Sequence, residues 1–172
     1  MVDEDVRGSL AEGTLVGGRF RVERLIGRGG MGEVYSARHT TTLKQVALKR
    51  IHVGGDRGHE HERRFMTEAR AATAIRHPNV VEVYDLFEDE DGSPVMVMEL
   101  LSGESLSALR ARAGALPLCE IAAILLPAAR ALREAHAKGI VHRDLKPDNL
   151  FLADTPSGRT TKILDFGIAK II

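Results

Sequence analysis

The chain has 172 residues, of which 44% are hydrophobic and 28% are charged, a composition typical of folded proteins rather than disordered ones. Its 24 basic residues balance its 24 acidic residues, so charge gives no reason to expect a nucleic-acid or anionic-membrane partner. The one cysteine, Cys119, excludes an internal disulfide, and no apolar run is long enough to predict a membrane anchor. We therefore expect a cytoplasmic protein with one domain or two small lobes.

The first half of the chain predicts an α+β lobe. Residues 1–18 are polar and rich in glycine, and they predict a flexible tail. A helix is predicted over residues 59–76, where apolar side chains recur at helical spacing. Five segments have the residue pattern of strands: residues 19–26, 33–38, 46–51, 80–88 and 94–99. Residues 19–98 thus form one predicted lobe with five strands and one helix.

The second half, residues 99–172, predicts a mainly helical lobe. Helices are expected over residues 104–113 and 117–138, and a pair of short strands over 150–153 and 161–165. The longer helix is apolar on nearly all sides, which predicts burial on nearly all sides. The remaining residues are too few to cover it, so we expect further chain or another molecule to pack there.

A glycine motif stands between the first two predicted strands. Residues 27–32 match G-x-G-x-x-G, a spacing that dinucleotide-binding folds also use. In those folds a helix follows the glycines, whereas residues 33–37 here have a strand pattern. The glycines of a hairpin tip let backbone N–H groups approach phosphate oxygens closely. Taken alone, the motif fits a plain flexible hairpin equally well.

Lys49 and Glu68 form a candidate ion pair beside this hairpin. Lys49 shares a predicted strand face with Ala47, which points its ammonium group under the glycines. A lysine placed there can neutralise phosphate charge, and Glu68 on the predicted helix could hold it in position. Each residue alone is more commonly a solvated surface charge.

The run from Ile140 to Asn149, followed by Asp165-Phe166-Gly167, is the strongest chemical signal in the chain. Asn149 and Asp165 supply an amide and a carboxylate oxygen, which suit a Mg²⁺ site near phosphates. Asp144 can orient an attacking hydroxyl or accept its proton, and Lys146 adds positive charge where negative charge moves. Packing alone does not explain such a run.

These residues resemble the protein kinase family, and most closely the eukaryotic-like serine/threonine kinases of bacteria. The resemblance extends from about Arg19 to Ile172 and implies a bilobal kinase fold, with a complete five-stranded N-lobe and a partial helical C-lobe. It implies ATP and Mg²⁺ as cofactors and proteins bearing serine or threonine as substrates in signalling.

The resemblance also assigns roles to residues. Asp144 would be the catalytic base, supported by Lys146 and Asn149, and the metal ligands would be Asn149 and Asp165. Nucleotide binding would involve the glycine hairpin, the Lys49–Glu68 pair and the residues around adenine. Those nucleotide-binding residues are Ile26, Gly27, Arg28, Gly29, Gly30, Met31, Gly32, Glu33, Val34, Ala47, Lys49, Glu68, Met98, Glu99, Leu101 and Phe151.

The C-terminal end departs from the family pattern. Members continue past Asp-Phe-Gly into an activation segment and several helices, whereas this chain ends at Ile172. Catalytic turnover by this chain is therefore one of three expectations. The alternatives are a non-catalytic ATP-binding remnant or scaffold, and a fragment that does not fold alone.

Overall fold

The computed structural model describes residues 9–29, 32–51, 73–165 and 170–171. The chain divides into two compact units, which are described separately below. The first unit comprises residues 1–63 and 83–100, and the second comprises residues 64–82 and 101–172. The predicted helix over residues 59–76 lies outside the described residues as far as residue 72. Thr73 and Ala74 are helical, whereas Ile75 and Arg76 are not, so the helix ends two residues earlier than predicted.

The first unit contains a six-stranded sheet with the strand order β1-β2-β3-β4-β6-β5. All five pairings that define this order are antiparallel. The strands are β1 (Leu15–Val16), β2 (Phe20–Gly29), β3 (Gly32–His39), β4 (Gln45–Ile51), β5 (Val83–Glu88) and β6 (Pro94–Glu99). Each of the five predicted strands is present, with bounds that differ by a few residues.

The two faces of this sheet differ in composition. Side chains alternate along a strand, and directly opposed residues of neighbouring strands share a face. One face carries the core of the unit, which includes Tyr35, Leu48 and Val97, each at most 1% exposed. On the other face the register aligns Val34 with Lys49, and Ala47 with Met98. Lys49 and Ala47 therefore share a face, as the sequence predicts.

Residues 9–18 correct the prediction of a tail that extends to residue 18. Leu15 and Val16 form β1, an additional strand of the sheet, which pairs with the start of β2. Val16 is fully buried and Leu10 packs against the same core. The prediction failed because a strand of two residues is too short for alternation to be recognised. The sheet therefore has six strands rather than the five expected.

The second unit combines two helices with short strands. Helix α1 spans Leu106–Ala113 and α2 spans Leu118–Ala137. Strands β7 (Gly103–Ser105), β9 (Leu150–Thr155) and β10 (Gly158–Ile163) form one antiparallel sheet with the order β10-β9-β7. Strands β8 (Ile140–Val141) and β11 (Lys170–Ile171) pair separately. β7, β8 and β11 are not predicted from the sequence.

Helix boundaries in this unit follow ordinary capping chemistry. The Ser105 side chain accepts a hydrogen bond from the backbone N–H of Ala108 at 3.1 Å and so begins α1. Gly114 ends that helix with a φ of 74°, a value that glycine adopts without steric cost. Pro117 precedes α2, and the helix continues through Pro127.

The core of the second unit lies between α2 and the β9–β10 strand pair. Ala128, Ala131 and Ala135 of α2 pack with Ile163 and Leu152 of the strands. The other side of α2 is different, because several large apolar side chains are exposed there, as the sequence leads us to expect. These are Leu118, Ile121, Leu125 and Leu126, which are 81%, 36%, 43% and 58% exposed.

Candidate active site

The loop between β8 and β9 carries the candidate catalytic residues of the second unit. Its backbone is closed by two local hydrogen bonds. The Asp144 N–H donates to the His142 carbonyl at 2.9 Å, and the Asn149 N–H donates to the Lys146 carbonyl at 3.0 Å. The second bond belongs to a 3₁₀ turn over Pro147–Asn149, which proline favours because its φ is already fixed.

Asp144, Lys146 and Asn149 contact one another directly. The Lys146 ammonium lies 2.9 Å from Asp144 Oδ2. The Asn149 amide donates to the Asp144 backbone carbonyl at 2.8 Å and to Asp144 Oδ2 at 3.2 Å. Asn149 is 8% exposed, whereas the Asp144 and Lys146 side chains are 44% and 49% exposed. The buried amide therefore holds a solvent-facing carboxylate in one orientation.

The electrostatics of this cluster keep Asp144 ionised. The hydrogen bond from Lys146 lowers the pKa of the Asp144 carboxyl below its ordinary value, and Asn149 acts in the same direction while partial burial opposes both. The same contact with Asp144 raises the pKa of the Lys146 ammonium. Asp144 is consequently a carboxylate at neutral pH.

Leu164 is held against this loop from two sides. The His142 Nε2 atom lies 3.1 Å from the Leu164 carbonyl oxygen, and the His142 side chain is buried. The Leu164 N–H donates to the Asn149 carbonyl at 2.9 Å. These contacts place Asp165, the next residue, beside the catalytic loop. Its negative charge contributes to the raised pKa of Lys146.

Two residues of this region have strained backbone conformations. Arg143 has a φ of 61° and Asp165 a φ of 39°, both in the left-handed region that side chains disfavour. Such conformations persist when the surrounding structure holds them in place, and they cluster at functional sites. Here the contacts of His142 and Asn149 with Leu164 provide that restraint. Each candidate carboxylate thus lies at, or directly after, a strained residue.

The glycine hairpin of the first unit joins β2 to β3. Gly32 has a φ of 151°, and a Cβ atom added there would lie 2.1 Å from the Arg50 carbonyl oxygen, so the sheet itself requires glycine. Gly27 and Gly29 differ, because an added Cβ would be 3.8 Å from the nearest atom at Gly27 and would meet open space at Gly29. Nothing in the described structure explains glycine at these two positions.

The other predicted nucleotide-binding residues fall into three groups. Val34, Ala47, Lys49 and Met98 share the non-core face of the first unit's sheet, and Lys49 is 9% exposed. Glu33 points to the opposite face, and Ile26, Arg28, Glu99, Leu101 and Phe151 are partly or fully exposed. Gly30, Met31 and Glu68 lie outside the described residues, so the Lys49–Glu68 pair stays a prediction.

His142 is the residue of this site to which sequence reasoning assigns no role. It belongs to the same run as Asp144 and Asn149, and a histidine among polar residues could have suggested a structural anchor. Its partner, the carbonyl of Leu164, is 22 residues away, and no local pattern indicates that contact.

Among the described residues, no three His, Cys, Asp or Glu side chains cluster as a closed metal site. A metal site built on the predicted ligands Asn149 and Asp165 would need further oxygen ligands.

Comparison with known proteins identifies the family. A model of the protein kinase domain matches residues 20–172. The serine/threonine-protein kinase Pkn1 of Myxococcus xanthus is 42% identical over 168 residues, which are 94% of this chain and 23% of that protein. The serine/threonine-protein kinase PknA of Mycobacterium tuberculosis is 40% identical over 164 residues, which are 93% of this chain and 37% of that protein.

A solved structure agrees with these matches. The PknI kinase domain of Mycobacterium tuberculosis superposes with a TM-score of 0.77 at 34% identity, covering 94% of this chain and 63% of that one. The predicted fold class is therefore confirmed, although the chain spans less than two thirds of the relatives it matches. No helix in the described ranges is both long and apolar enough to cross a membrane. The kinase-specific motifs, the fold and the match over residues 20–172 show that the chain belongs to the protein kinase domain family.

Proposed function

We propose that this chain is the part of a serine/threonine protein kinase that binds ATP and carries the catalytic loop. The family uses ATP and a divalent metal ion. The observation that carries the proposal is the Asp144–Lys146–Asn149 cluster, in which a buried amide and an ammonium group orient an ionised carboxylate. A carboxylate held in one orientation can direct a substrate hydroxyl toward a phosphoryl group.

Asp144 accepts a hydrogen bond from the attacking serine or threonine hydroxyl. Its lowered pKa makes it a weak base at neutral pH, so orientation of the hydroxyl is its main contribution. As the new O–P bond forms and the bond to the ADP oxygen breaks, the proton of the hydroxyl is released to the Asp144 carboxylate. Lys146 lies beside this carboxylate and stabilises the negative charge of the transferring group.

Asn149 and Asp165 provide the oxygen atoms that a Mg²⁺ ion prefers. The fit is supported by the two contacts that fix Leu164 on the catalytic loop, since they hold Asp165, the next residue, beside that loop. A bound Mg²⁺ would neutralise phosphate charge. Asn149 donates its amide N–H groups to Asp144, so its amide oxygen is left to face a cation.

The first unit supports nucleotide binding through its hairpin and its non-core sheet face. The sheet tolerates a side chain at Gly27 and Gly29, so glycine at these positions is explained by the close approach of phosphate groups to the backbone. Lys49 would neutralise the α- and β-phosphates, paired with Glu68. Val34, Ala47, Met98 and Glu99 of this unit would contact adenine.

The lobe assignments follow from the same proposal. We assign residues 19–98 to the N-lobe and residues 99–172 to the C-lobe, and we place the protein substrate's hydroxyl at Asp144.

The exposed apolar side chains of α2 support the further proposal that additional polypeptide packs on this helix. A groove of about 520 Å³ beside them has a mostly apolar lining, which includes Leu106, Leu116, Ile121, Ile124 and Leu125.

Transfer of labelled γ-phosphate from Mg·ATP to a generic basic protein tests the proposal. We expect label with the unaltered chain and a loss of at least about 100-fold with Asp144→Asn, because the carboxylate that orients the hydroxyl is replaced by an amide. Arg159→Gln, an exposed change on β10, is the matched control and should leave transfer intact. A rise in melting temperature with Mg·ATP but no transfer would instead indicate a non-catalytic nucleotide-binding module.

A further inference from the structure

Glu33, the residue directly after the glycine motif, is an acidic side chain enclosed by hydrogen-bond donors. It is 3% exposed. Its Oε1 atom accepts hydrogen bonds from the Ser9 hydroxyl and from Arg28 Nε, the latter at 2.8 Å. Its Oε2 atom accepts a hydrogen bond from the Tyr35 hydroxyl. A carboxylate in such a position is costly to bury unless its partners stay in place.

The segment that precedes β1 supplies part of this enclosure. Arg28 donates a second hydrogen bond, from its terminal nitrogen to the Ser9 hydroxyl oxygen at 2.6 Å. The Leu10 N–H donates to the Tyr35 hydroxyl oxygen at 2.8 Å. Ser9 and Leu10 are therefore tied to both strands of the glycine hairpin. Ser9 is 24 residues from Glu33 in sequence, so the contact is tertiary and not a by-product of the hairpin turn.

The position of these contacts within the sheet matters for nucleotide binding. Arg28 and Glu33 are directly opposed in the β2–β3 register, one step from the Gly29–Gly32 pair. Glu33 and Tyr35 lie on the same side of β3, whereas Val34 between them shares the other side with Lys49. The hydrogen bonds therefore restrain the hairpin from the face opposite Lys49.

We propose that Ser9, Leu10, Arg28, Glu33 and Tyr35 form a latch that positions the glycine hairpin for ATP. This inference rests on the proposed function and identifies Ser9 and Glu33 as positioning residues. A hairpin that is already ordered loses less conformational entropy when it binds phosphate, so the latch increases ATP affinity without touching the nucleotide. Release of Ser9 or Leu10 frees the hairpin, which makes the segment before β1 a point of control over the site.

Four variants of the full chain separate this role from general stability. Ser9→Ala removes the hydroxyl that bonds to Glu33, and Ser9→Thr retains a hydroxyl. Glu33→Gln keeps the size of the side chain but removes its charge. Arg21→Ala is the matched control, because Arg21 also ties the segment before β1 to β2, through the Gly13 carbonyl at 3.1 Å, without reaching the hairpin tip.

The first readout is hydrogen exchange of the backbone amides of Gly29, Gly32 and Val34 without nucleotide, which does not depend on kinase activity. The second is the dissociation constant of Mg·ATP, measured by calorimetry, beside kcat at saturating ATP. We expect Ser9→Ala and Glu33→Gln to speed exchange and to weaken ATP binding roughly two- to tenfold, the size of one lost hydrogen bond. We expect Ser9→Ala to change kcat little, and Ser9→Thr and Arg21→Ala to behave as the unaltered chain.

Two results would overturn the latch. In the first, Ser9→Ala lowers the melting temperature but leaves exchange and ATP affinity as in Arg21→Ala, which would make the contacts merely structural. In the second, Ser9→Thr weakens binding as much as Ser9→Ala, which would exclude the hydroxyl as the cause. Failure of the proposed function is distinguishable, because the unaltered chain would then bind no Mg·ATP while the exchange comparison would still test the latch.

Discussion

Replacement of Asn149 by alanine should separate the structural contribution of this side chain from its contribution to phosphoryl transfer. The Asn149 amide makes one hydrogen bond to a backbone carbonyl at 2.8 Å and one to a carboxylate oxygen at 3.2 Å. A net value of about 1 kcal/mol for each bond predicts that Asn149→Ala lowers the free energy of unfolding by about 2 kcal/mol.

Asn79 provides a matched control within the same unit. Its amide also makes one bond to a backbone carbonyl, that of Thr161 at 2.7 Å, and one to a side-chain oxygen, that of Thr160 at 3.2 Å. Asn79→Ala should therefore cost a similar free energy of unfolding, about 2 kcal/mol. Each variant removes one amide and two hydrogen bonds, and the two differ in that only the Asn149 amide contacts Asp144 and is a proposed Mg²⁺ ligand.

The assay pairs urea denaturation with labelled phosphate transfer, corrected for the folded fraction. We expect Asn149→Ala to reduce transfer by about 100-fold or more, because it removes both the amide that orients Asp144 and a proposed Mg²⁺ ligand. Asn79→Ala should retain transfer close to that of the unaltered chain. Equal losses of transfer in the two variants would refute the argument that Asn149 acts in phosphoryl transfer beyond its contribution to stability, and equal retention would refute it as well.

Two further predictions concern electrostatics and backbone conformation. Lys146→Gln should raise the pKa of Asp144 toward its ordinary value of about 3.9, because the lowered pKa depends chiefly on this contact. The carboxylate would then become protonated at a higher pH as the solution is acidified, and NMR titration of the Asp144 carboxyl carbon would show it; an unmoved titration curve would contradict the assignment. Gly103→Ala should lower the free energy of unfolding by about 3 kcal/mol, because its φ is 135° and an added Cβ would lie 2.0 Å from the Leu152 carbonyl oxygen. Gly114→Ala, with a φ of 74° and nothing within 4 Å, should cost about 1 kcal/mol from backbone strain alone, and equal losses of stability in urea denaturation would argue against the steric explanation.

The strands that the sequence predicts are longer than those it misses, and the missed strands depend on pairing with a neighbouring strand. β2, β4 and β6 each have six or more residues, so their apolar patterns could be recognised. β1 and β7 have two and three residues, and they exist because they pair with β2 and β9. A strand whose stability comes from a neighbour distant in sequence leaves little trace in local composition.

The candidate site shows the same division between local and distant information. Asp144, Lys146 and Asn149 are close in sequence, and the run that contains them resembles a protein kinase motif, which predicts a phosphate-handling loop. The contact of His142 with Leu164 and that of Ser9 with Glu33 join positions 22 and 24 residues apart. No periodicity or motif connects such positions, so only the folded chain shows which groups hold the site in place.

The left-handed conformation of Arg143 has a consequence for attempts to engineer this chain. Glycine adopts a φ of 61° with little strain, so a selection for thermal stability alone would favour glycine or asparagine at this position. A library screened only for heat resistance would therefore drift away from arginine at this position. Because position 143 is next to Asp144, the proposed catalytic residue, such a library would also need a screen for activity.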